Sequence, residues 1–473
     1  MPSRCVGGNS RGQTVNTAIT SRPHETAWIA AAVALGAAGG LVVLKAGASV
    51  VPTLLAIVAA VVLALAILRD TRVGLYAMLV ALPLDLLGRI ITEPIVITAY
   101  HITLVLTMVS WALARYLDRA GAPRLELTIV HVGVLALLGA AVWSLPFSLD
   151  ATATTIATAR LLFIAAFFFV FSVYLRDERT ADRVLMVLAI TGAVSAAVAL
   201  VQFAFPELNT GSAHVLGTGM AVINRPAGFF HDPNYLAAFL SLAVIAAVAR
   251  ASHCGRLTQA LPWLAAALVS AAGLAVTLSR TGLVGVAVGL LACVLMAPRR
   301  RRKALLLALA VGAVLVVSIS PGLLVERATS IADVSGDASL ATRYYMAGST
   351  VEIMKDHWVF GTGLQAYAQA YPAYRTLGSM PNILQPHELP LALPAEMGVL
   401  GLIAEAIIIA GVVAEVAGRR HLGWNAWESA GIAGLAAILV QSLFQYYLFF
   451  EYLWLFLALT VAATRFASTV EEV

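Results

Sequence analysis

Apolar runs of about 18 to 20 residues recur along nearly the whole chain, and each is long enough to cross a bilayer core of about 30 Å. Hydrophobic residues make up 60% of the 473 residues and charged residues only 12%, whereas about 25% of the residues in a soluble domain are charged. Backbone polar groups inside lipid must be bonded within the segment, so such runs fold as helices. The sequence therefore predicts one all-α, polytopic transmembrane helix bundle rather than several soluble domains.

Candidate spans cover most of the chain, and we expect about 12 to 14 transmembrane helices. The third span is the least regular because Pro83 and Asp85 interrupt it. The spans run over residues 27–44, 51–68, 73–91, 95–113, 127–145, 156–174, 184–205, 234–249, 261–278, 283–297, 304–320, 396–417, 428–447 and 451–464.

The distribution of basic residues predicts the orientation of these spans. With the N-terminus inside, roughly 21 of the 30 Lys and Arg residues fall in inner segments, as the positive-inside rule requires. Both termini are then cytoplasmic, and the two long segments 206–233 and 321–395 lie outside. The basic residues form short clusters between apolar runs, which is not how a nucleic-acid-binding face is built. We therefore expect the lipid bilayer as a partner, and no nucleic acid.

The predicted spans and their orientation divide the chain into five regions. Residues 321–395 contain many aromatic side chains, and long loops of this kind are usually functional. Within them, 338–358 reads as an amphipathic helix that Gly361-Thr362-Gly363 ends, so we expect a helical extracytoplasmic cap before the last three spans. The predicted regions are a disordered cytoplasmic tail (1–26), N-terminal transmembrane helices (27–205), core transmembrane helices with the arginine-containing outer motifs (206–320), the cap (321–395) and C-terminal transmembrane helices (396–473).

Two arginines on the predicted outer side are candidates for binding a diphosphate. Arg225 precedes an apolar run, and Arg280 lies between two apolar runs with almost no loop. An interfacial arginine can simply extend towards lipid headgroups. Arg280, held in a turn of Ser, Thr and Gly, is poorly placed to do so, and ionisable groups near membrane depth are functional by default. Guanidinium groups bind phosphate oxygens bidentately.

His387 and the adjacent Glu388 stand at the end of the predicted cap, just before a span. A lone histidine in a loop is more often a surface residue than a base. A reaction in which a hydroxyl group attacks nevertheless needs a base for the hydroxyl proton, and histidine suits that task near neutral pH. Acidic residues in the outer segments are dispersed singly, and the three cysteines lack metal-ligand spacing. We therefore expect no metal site and no other cofactor.

Three stretches carry motifs with an ordered spacing. They are R-P-A-G-F at 225–229 with D-P-N at 232–234, L-S-R-T-G at 278–282, and a module that runs from Arg343 through G-T-G-L at 361–364 and His387 to E-M-G-V-L-G at 396–401. In this order they resemble the signatures of the O-antigen ligase and polymerase family. Together they cover about residues 223–401. Two features depart from the family pattern: Glu388 stands where an Asn usually follows the histidine, and the N-terminus adds about two helices to the usual dozen.

The resemblance implies a metal-independent, inverting glycosyltransferase in the bacterial cytoplasmic (inner) membrane. It would move a glycan from polyisoprenyl (undecaprenyl) diphosphate to a sugar hydroxyl of a glycolipid or glycan acceptor, on the periplasmic or exterior face. By resemblance Arg225 and Arg280 bind the diphosphate, and His387 activates the acceptor. We further expect that Glu388 orients or tunes His387 and that Arg343 is an additional candidate for diphosphate binding. A ligase and a polysaccharide polymerase share this chemistry. A small-anion transporter is the alternative from another class, although the sequence shows no convincing internal repeat of the kind transporters have.

The predicted orientation can be tested by labelling single cysteines in a variant without the three native ones. In intact cells, a membrane-impermeant maleimide should label Ser335→Cys and should label Arg301→Cys only after lysis. Labelling of Arg301→Cys in intact cells would show that the topology is the reverse of the predicted one, with the arginine motifs on the cytoplasmic face.

Overall fold

The computed structural model describes residues 50–84, 89–91, 96–117, 125–209, 215–218, 221–318, 322, 338–376, 383, 385–419 and 424–463. The predicted tail and the first predicted span lie outside these residues, as does most of the first part of the predicted cap, 321–337.

The described residues form a helical bundle, which confirms the predicted fold class. Fifteen α-helices are seen within these ranges. They are α1 (Val50–Arg69), α2 (Thr71–Ala81), α3 (Ala99–Tyr116), α4 (Ile129–Ser144), α5 (Ala151–Tyr174), α6 (Glu178–Ala204), α7 (Pro233–His253), α8 (Leu257–Val276), α9 (Arg280–Met296), α10 (Arg299–Val317), α11 (Ala338–Asp356), α12 (Tyr367–Tyr374), α13 (Leu389–Arg419), α14 (Ala426–Ser442) and α15 (Glu451–Ala463).

Six of these helices are long and apolar enough to cross a membrane: α5, α6, α7, α8, α13, and α4 with the turn that follows it. Four shorter apolar helical segments lie in α1, in α2 with its following turn, in α9 and in α15. The chain is thus a multi-pass membrane protein. Several helices begin where the sequence supplies a capping side chain: Asp150, Asp177 and Asn425 each accept a hydrogen bond from a backbone amide of the first turn.

Helix α7 lies at the centre of the bundle, and almost all of its residues are buried. It packs against α6, α8, α9 and α14. Small residues let these helices approach closely: a Cβ atom on Gly273 would lie 2.5 Å from Ala196 Cβ, and one on Gly192 would lie 2.4 Å from Ala243 Cβ. Close contact between small residues is how helices associate inside lipid, where burial of apolar surface from water contributes nothing.

Two short antiparallel hairpins add to the helical fold. Strand β1 (Arg89–Ile91) pairs with β2 (Ile97–Thr98), and β3 (Val215–Thr218) pairs with β4 (Ala221–Asn224). The first hairpin corrects the predicted third span, 73–91. Helix α2 ends at Ala81 and continues only as a short 3₁₀ turn through Leu84, because Pro83 cannot donate a backbone hydrogen bond to the helix.

The predicted helix at 338–358 is present as α11, and the Gly361-Thr362-Gly363 break follows it as expected. Gly361 and Gly363 have φ values of +72° and +98°, a region that side chains disfavour. Helix α12, which was not predicted separately, packs beside α11. The two helices share a small core that includes Met346, Tyr367 and Tyr371.

Helix α13 begins earlier than predicted, at Leu389 instead of residue 396, and it is interrupted at Gly398. There the backbone has φ 63° and ψ −153°, so two helices meet at a kink. The kink leaves carbonyl groups of the first part without helical partners. Thr362 N donates to Ala395 O at 3.0 Å, and Gly363 N donates to Glu396 O at 2.9 Å. The glycine loop after α11 therefore bonds directly to the broken helix.

We predict that Gly398→Ala destabilises the protein by about 1–3 kcal/mol, because Gly398 occupies a backbone region that is essentially restricted to glycine. A Cβ atom there would also lie 2.3 Å from Val359 O. The thermal midpoint of the purified protein in detergent should fall. Gly348→Ala is the matched control, because its Cβ would meet nothing within 4 Å and its φ is not positive. Equal midpoints for the two variants would contradict the role of the kink.

Candidate functional site

The loop that carries Arg225 is held by side-chain amides. Gln202, near the end of α6, donates from Nε2 to Gly228 O at 3.0 Å and accepts from Gly228 N at Oε1 at 2.8 Å. Gly228 has a φ of +61°, which a tight turn requires and glycine tolerates. Asn209 Nδ2 donates to Arg225 O at 2.8 Å. The backbone of Arg225 is thereby fixed against the bundle.

The Arg225 side chain is buried, with 8% of its surface exposed. Its Nε donates to Thr277 O at 2.7 Å, and its Nη2 donates to Asn234 Oδ1 at 3.0 Å. Ser279 Oγ donates to the same Asn234 Oδ1 at 3.0 Å. Arg225, Asn234 and Ser279 therefore join three chain segments: the loop before α7, the start of α7 and the turn between α8 and α9. We call this set the arginine network.

Arg280 is the first residue of α9 and not a turn residue as predicted; the turn before it consists of Thr277, Leu278 and Ser279. Leu278 has a φ of +54°, which is uncommon for a residue with a side chain and costs about 1 kcal/mol or more. Ser279 caps the helix by accepting from Gly282 N. The turn thus places Arg280 at a helix N-terminus, where backbone amides already favour an anion. Since Arg225 bonds to Thr277, the structure brings this turn and Arg225 together, as the diphosphate hypothesis requires.

His387 and Glu388 lie in the short segment that leads into α13. Both side chains are half-buried. His387 Nδ1 and Glu388 Oε2 are buried atoms without a hydrogen-bond partner among the described residues. Unpaired buried polar atoms are costly, and a catalytic role is one reason for which a protein keeps them. The pair therefore offers a ring nitrogen and a carboxylate oxygen that are available to a bound molecule.

Charges from two other elements act on this pair. Burial lowers the pKa of His387 to about 4, the Arg343 guanidinium of α11 acts in the same direction, and Asp232 opposes both. Burial raises the pKa of Glu388 to about 7, and Arg343 opposes the rise. Arg343 and Asp232 are thus near enough to His387 to influence its charge. Asp232 caps α7 by accepting from Asn234 N at 2.6 Å, and Asn234 belongs to the arginine network. The pair formed by His387 and Glu388 therefore lies at the same end of the bundle as the arginine network.

Residues 443–450, between α14 and α15, are part of this end of the bundle and were not predicted. We call them the tyrosine loop. Tyr447 OH donates to Asn234 O at 3.3 Å, Tyr235 OH donates to Tyr446 O at 3.3 Å, and Tyr446 OH donates to Glu396 Oε2 at 2.7 Å. The loop therefore links the start of α7 to the kinked helix α13. The sequence signal was a run of aromatic residues, which hydropathy alone assigns to a span.

Among the described residues, no group of three or more His, Cys, Asp or Glu side chains could hold a metal ion. Arginines on α9, on α11 and in the loop before α7 supply positive charge at this end of the bundle. Guanidinium groups can neutralise developing negative charge on phosphate oxygens directly. The arrangement is chemically suited to an anionic substrate.

Comparison with protein families bears on the same region. Residues 265–405 match the O-antigen ligase family. The matched segment contains Arg280, Arg343, His387 and Glu388 and ends within α13, whereas Arg225 precedes it. The match confirms the resemblance given by the sequence motifs and supports a membrane glycosyltransferase of the O-antigen ligase or polymerase type. No curated protein matches the chain.

The pKa of Glu388 predicts how activity depends on pH. Below about pH 7 the Glu388 carboxyl is mostly protonated, and above it the carboxylate dominates. A carboxylate beside His387 stabilises the imidazolium that forms when the histidine accepts a proton. Transfer should therefore rise as pH increases through about 7, and Glu388→Gln should remove this rise while His387 stays neutral throughout. Single-turnover rates from pH 5.5 to 8.5 would test this; an unchanged profile in Glu388→Gln would exclude Glu388 as the titrating group.

Proposed function

We propose that this protein transfers a glycan from polyisoprenyl (undecaprenyl) diphosphate to a sugar hydroxyl of a glycolipid or glycan acceptor, as an O-antigen ligase does. The observation that carries the proposal is the convergence of Arg225 and the Arg280 turn at the end of the bundle that also holds His387. A diphosphate leaving group and a hydroxyl nucleophile need different partners, namely fixed cations and a base. The family match over residues 265–405 supports the same class of reaction.

The proposed reaction is a single displacement at the anomeric carbon. The acceptor O–H loses its proton to His387 as its oxygen forms a bond to the anomeric carbon. The bond between that carbon and the diphosphate oxygen breaks on the opposite face, and the diphosphate leaves with the electron pair. The configuration at the anomeric carbon is inverted. No metal takes part, because arginines neutralise the charge that develops on the leaving diphosphate.

The low pKa of His387 keeps the imidazole neutral and able to accept a proton, but it also makes the imidazole a weak base. With a pKa of about 4, the imidazole is neutral at physiological pH and is ready to accept a proton. The same value makes the free imidazole a weak base, since an efficient catalytic base has a pKa near the operating pH. Asp232 opposes the lowering of the His387 pKa, and we infer that Glu388, the next residue along the chain, with a pKa of about 7, adds a second negative charge near the histidine. We therefore assign Glu388 the task of stabilising protonated His387.

The arginines have different tasks in the proposed site. Arg280 begins α9 and contacts the diphosphate directly, together with amides of the helix N-terminus. Arg225 spends two of its donors on Thr277 O and Asn234 Oδ1, so it holds the Arg280 turn as well as contributing charge. Arg343 approaches from the cap and acts on His387 and Glu388. This position suits a contact near the transferred sugar or the diphosphate.

The cell location belongs to the proposal as well. The basic-residue distribution favours cytoplasmic termini, which would direct the arginine network and His387 to the periplasmic or exterior face of the bacterial cytoplasmic membrane. A polysaccharide polymerase would use the same residues with a second lipid-linked glycan as acceptor. A transfer assay that compares a glycolipid acceptor with a second lipid-linked glycan as acceptor distinguishes a ligase from a polymerase.

Substitution of the arginines tests the diphosphate site. Arg280→Ala should lower single-turnover transfer more than a hundredfold, because losing a charge-assisted contact made mainly in the transition state costs on the order of 3 kcal/mol. Arg280→Lys should restore little, since an ammonium group cannot reproduce the bidentate geometry. Arg225→Ala should lower transfer and also reduce thermal stability, because it breaks the arginine network.

His387→Ala should differ in kind: donor binding persists while transfer fails, because the histidine acts on the acceptor. Arg375→Ala is the matched control, since Arg375 is an exposed arginine at the end of α12 outside the proposed site, and it should keep normal transfer. Donor binding and transfer are measured for every variant in one membrane preparation. Near-normal transfer by Arg280→Ala in a folded protein would refute the proposed site.

A further inference from the structure

Arg160 is a charged residue within a membrane-spanning helix. It lies in α5, about 14 Å along the helix axis from the first residue, Ala151. The residues from Leu161 to Tyr174 that follow it are almost entirely apolar. The side chain is nevertheless exposed on the surface of the protein. An arginine in such a place requires an explanation, because ionisable groups in membrane spans are costly and are kept for function.

The guanidinium of Arg160 has an aromatic contact in place of an ionic one. Its Cζ atom lies 4.5 Å from the centroid of the Phe449 ring, which supports a cation–π interaction. Within the described part of the chain, no carboxylate pairs with it and no acceptor receives a hydrogen bond from it. A guanidinium has five N–H donors, so the ring holds one face of the group while the donors remain directed to the surroundings.

The position of Phe449 connects Arg160 to the candidate site. Phe449 belongs to the tyrosine loop, and its ring lies 6.1 Å from the ring of Tyr446. In the same loop Tyr446 bonds to Glu396, and Tyr447 bonds to Asn234 of the arginine network. One short loop therefore contacts both Arg160 and the residue that Arg225 and Ser279 share. A molecule that reaches the arginine network from the α5 side of this loop would pass Arg160.

We propose that Arg160 binds the phosphate of a membrane lipid beside the tyrosine loop, at a position separate from Arg225 and Arg280. A phosphate group, like a carboxylate, matches the geometry of a guanidinium, and two of its oxygens can accept from two N–H donors at once. Membrane lipids bring such groups to the flank of a helix bundle. The lipid is either the polyisoprenyl diphosphate substrate or an anionic phospholipid, and only the first choice rests on the proposed function.

The test is lipid binding by the full chain in nanodiscs of zwitterionic phosphatidylcholine, whose phosphate is neutralised by its own choline cation, with titration of undecaprenyl diphosphate, phosphatidylglycerol and undecaprenol in parallel. Arg160→Gln should weaken binding of at least one of the two phosphate-bearing lipids about tenfold, which corresponds to 1.4 kcal/mol. It should leave undecaprenol, which has the same tail without phosphate, unchanged. A loss confined to undecaprenyl diphosphate identifies the substrate as the ligand, a loss confined to phosphatidylglycerol identifies the anionic phospholipid, and a loss for both identifies any anionic lipid phosphate.

Further variants separate this inference from other effects. Arg160→Lys keeps the charge and should retain more binding than Arg160→Gln, which a purely structural role would not produce. Arg375→Gln controls for loss of a positive charge elsewhere. Arg280→Ala in the same titration reports on the proposed function. Weaker diphosphate binding in Arg280→Ala, together with unchanged binding of both phosphate lipids in Arg160→Gln, would overturn only the Arg160 inference. Unchanged binding of both phosphate lipids by Arg160→Gln would overturn it in every case.

Discussion

Every backbone polar group inside an apolar layer must find a partner within the protein, and the rest of this structure follows from that constraint. Continuous helices meet it by themselves. Where a helix breaks, the freed groups need specific partners, and the chain supplies them from remote segments. The amides of Thr362 and Gly363 donate hydrogen bonds to carbonyl groups that the kink at Gly398 leaves unpaired. Arg225 donates to the carbonyl of Thr277 at the turn before α9.

These breaks are also where the chemistry-bearing side chains converge. The turn at Leu278 allows Arg280 to begin a helix, and the loop before α7 fixes Arg225 against that turn. The first part of α13 starts just after His387 and Glu388, and the kink that ends it is bonded to the glycine loop that follows α11. Residues that satisfy the backbone and residues proposed to act on substrate are therefore neighbours. Arg225 belongs to both groups.

The tyrosine loop shows how a segment without an obvious motif can organise a site. Its hydroxyls bond to α7 and α13, and one of its phenylalanines lies under Arg160. These contacts join the arginine network, the kinked helix and α5 through one short connection. A bundle whose helices were linked only by apolar packing would lack such directional restraints, since apolar packing inside lipid does not fix polar groups at defined distances.

The amino-acid sequence by itself determined the fold class, because runs of apolar residues of membrane-spanning length leave helices as the solution. It also determined the residue types of the candidate site, since Arg225, Arg280, Arg343, His387 and Glu388 stand out as polar groups in recognisable motifs. It predicted the helix at 338–358 and the glycine break after it, which depend on local pattern. Hydropathy misplaced the ends of the third span and of α13, because the Pro83 turn and the Gly398 kink are tolerated only when other segments pack against them.

Only the tertiary structure decided which of the candidate site residues lie close together. Arg225 and Ser279 are far apart in the chain, and their shared bond to Asn234 depends on how α7, α8 and α9 pack. The pKa of His387 depends on burial and on Arg343 from another helix, which no local pattern encodes. The roles of the tyrosine loop and of Arg160 were likewise invisible in the sequence, because hydropathy averages over a window while a hydrogen bond or a cation–π contact depends on the position of single atoms.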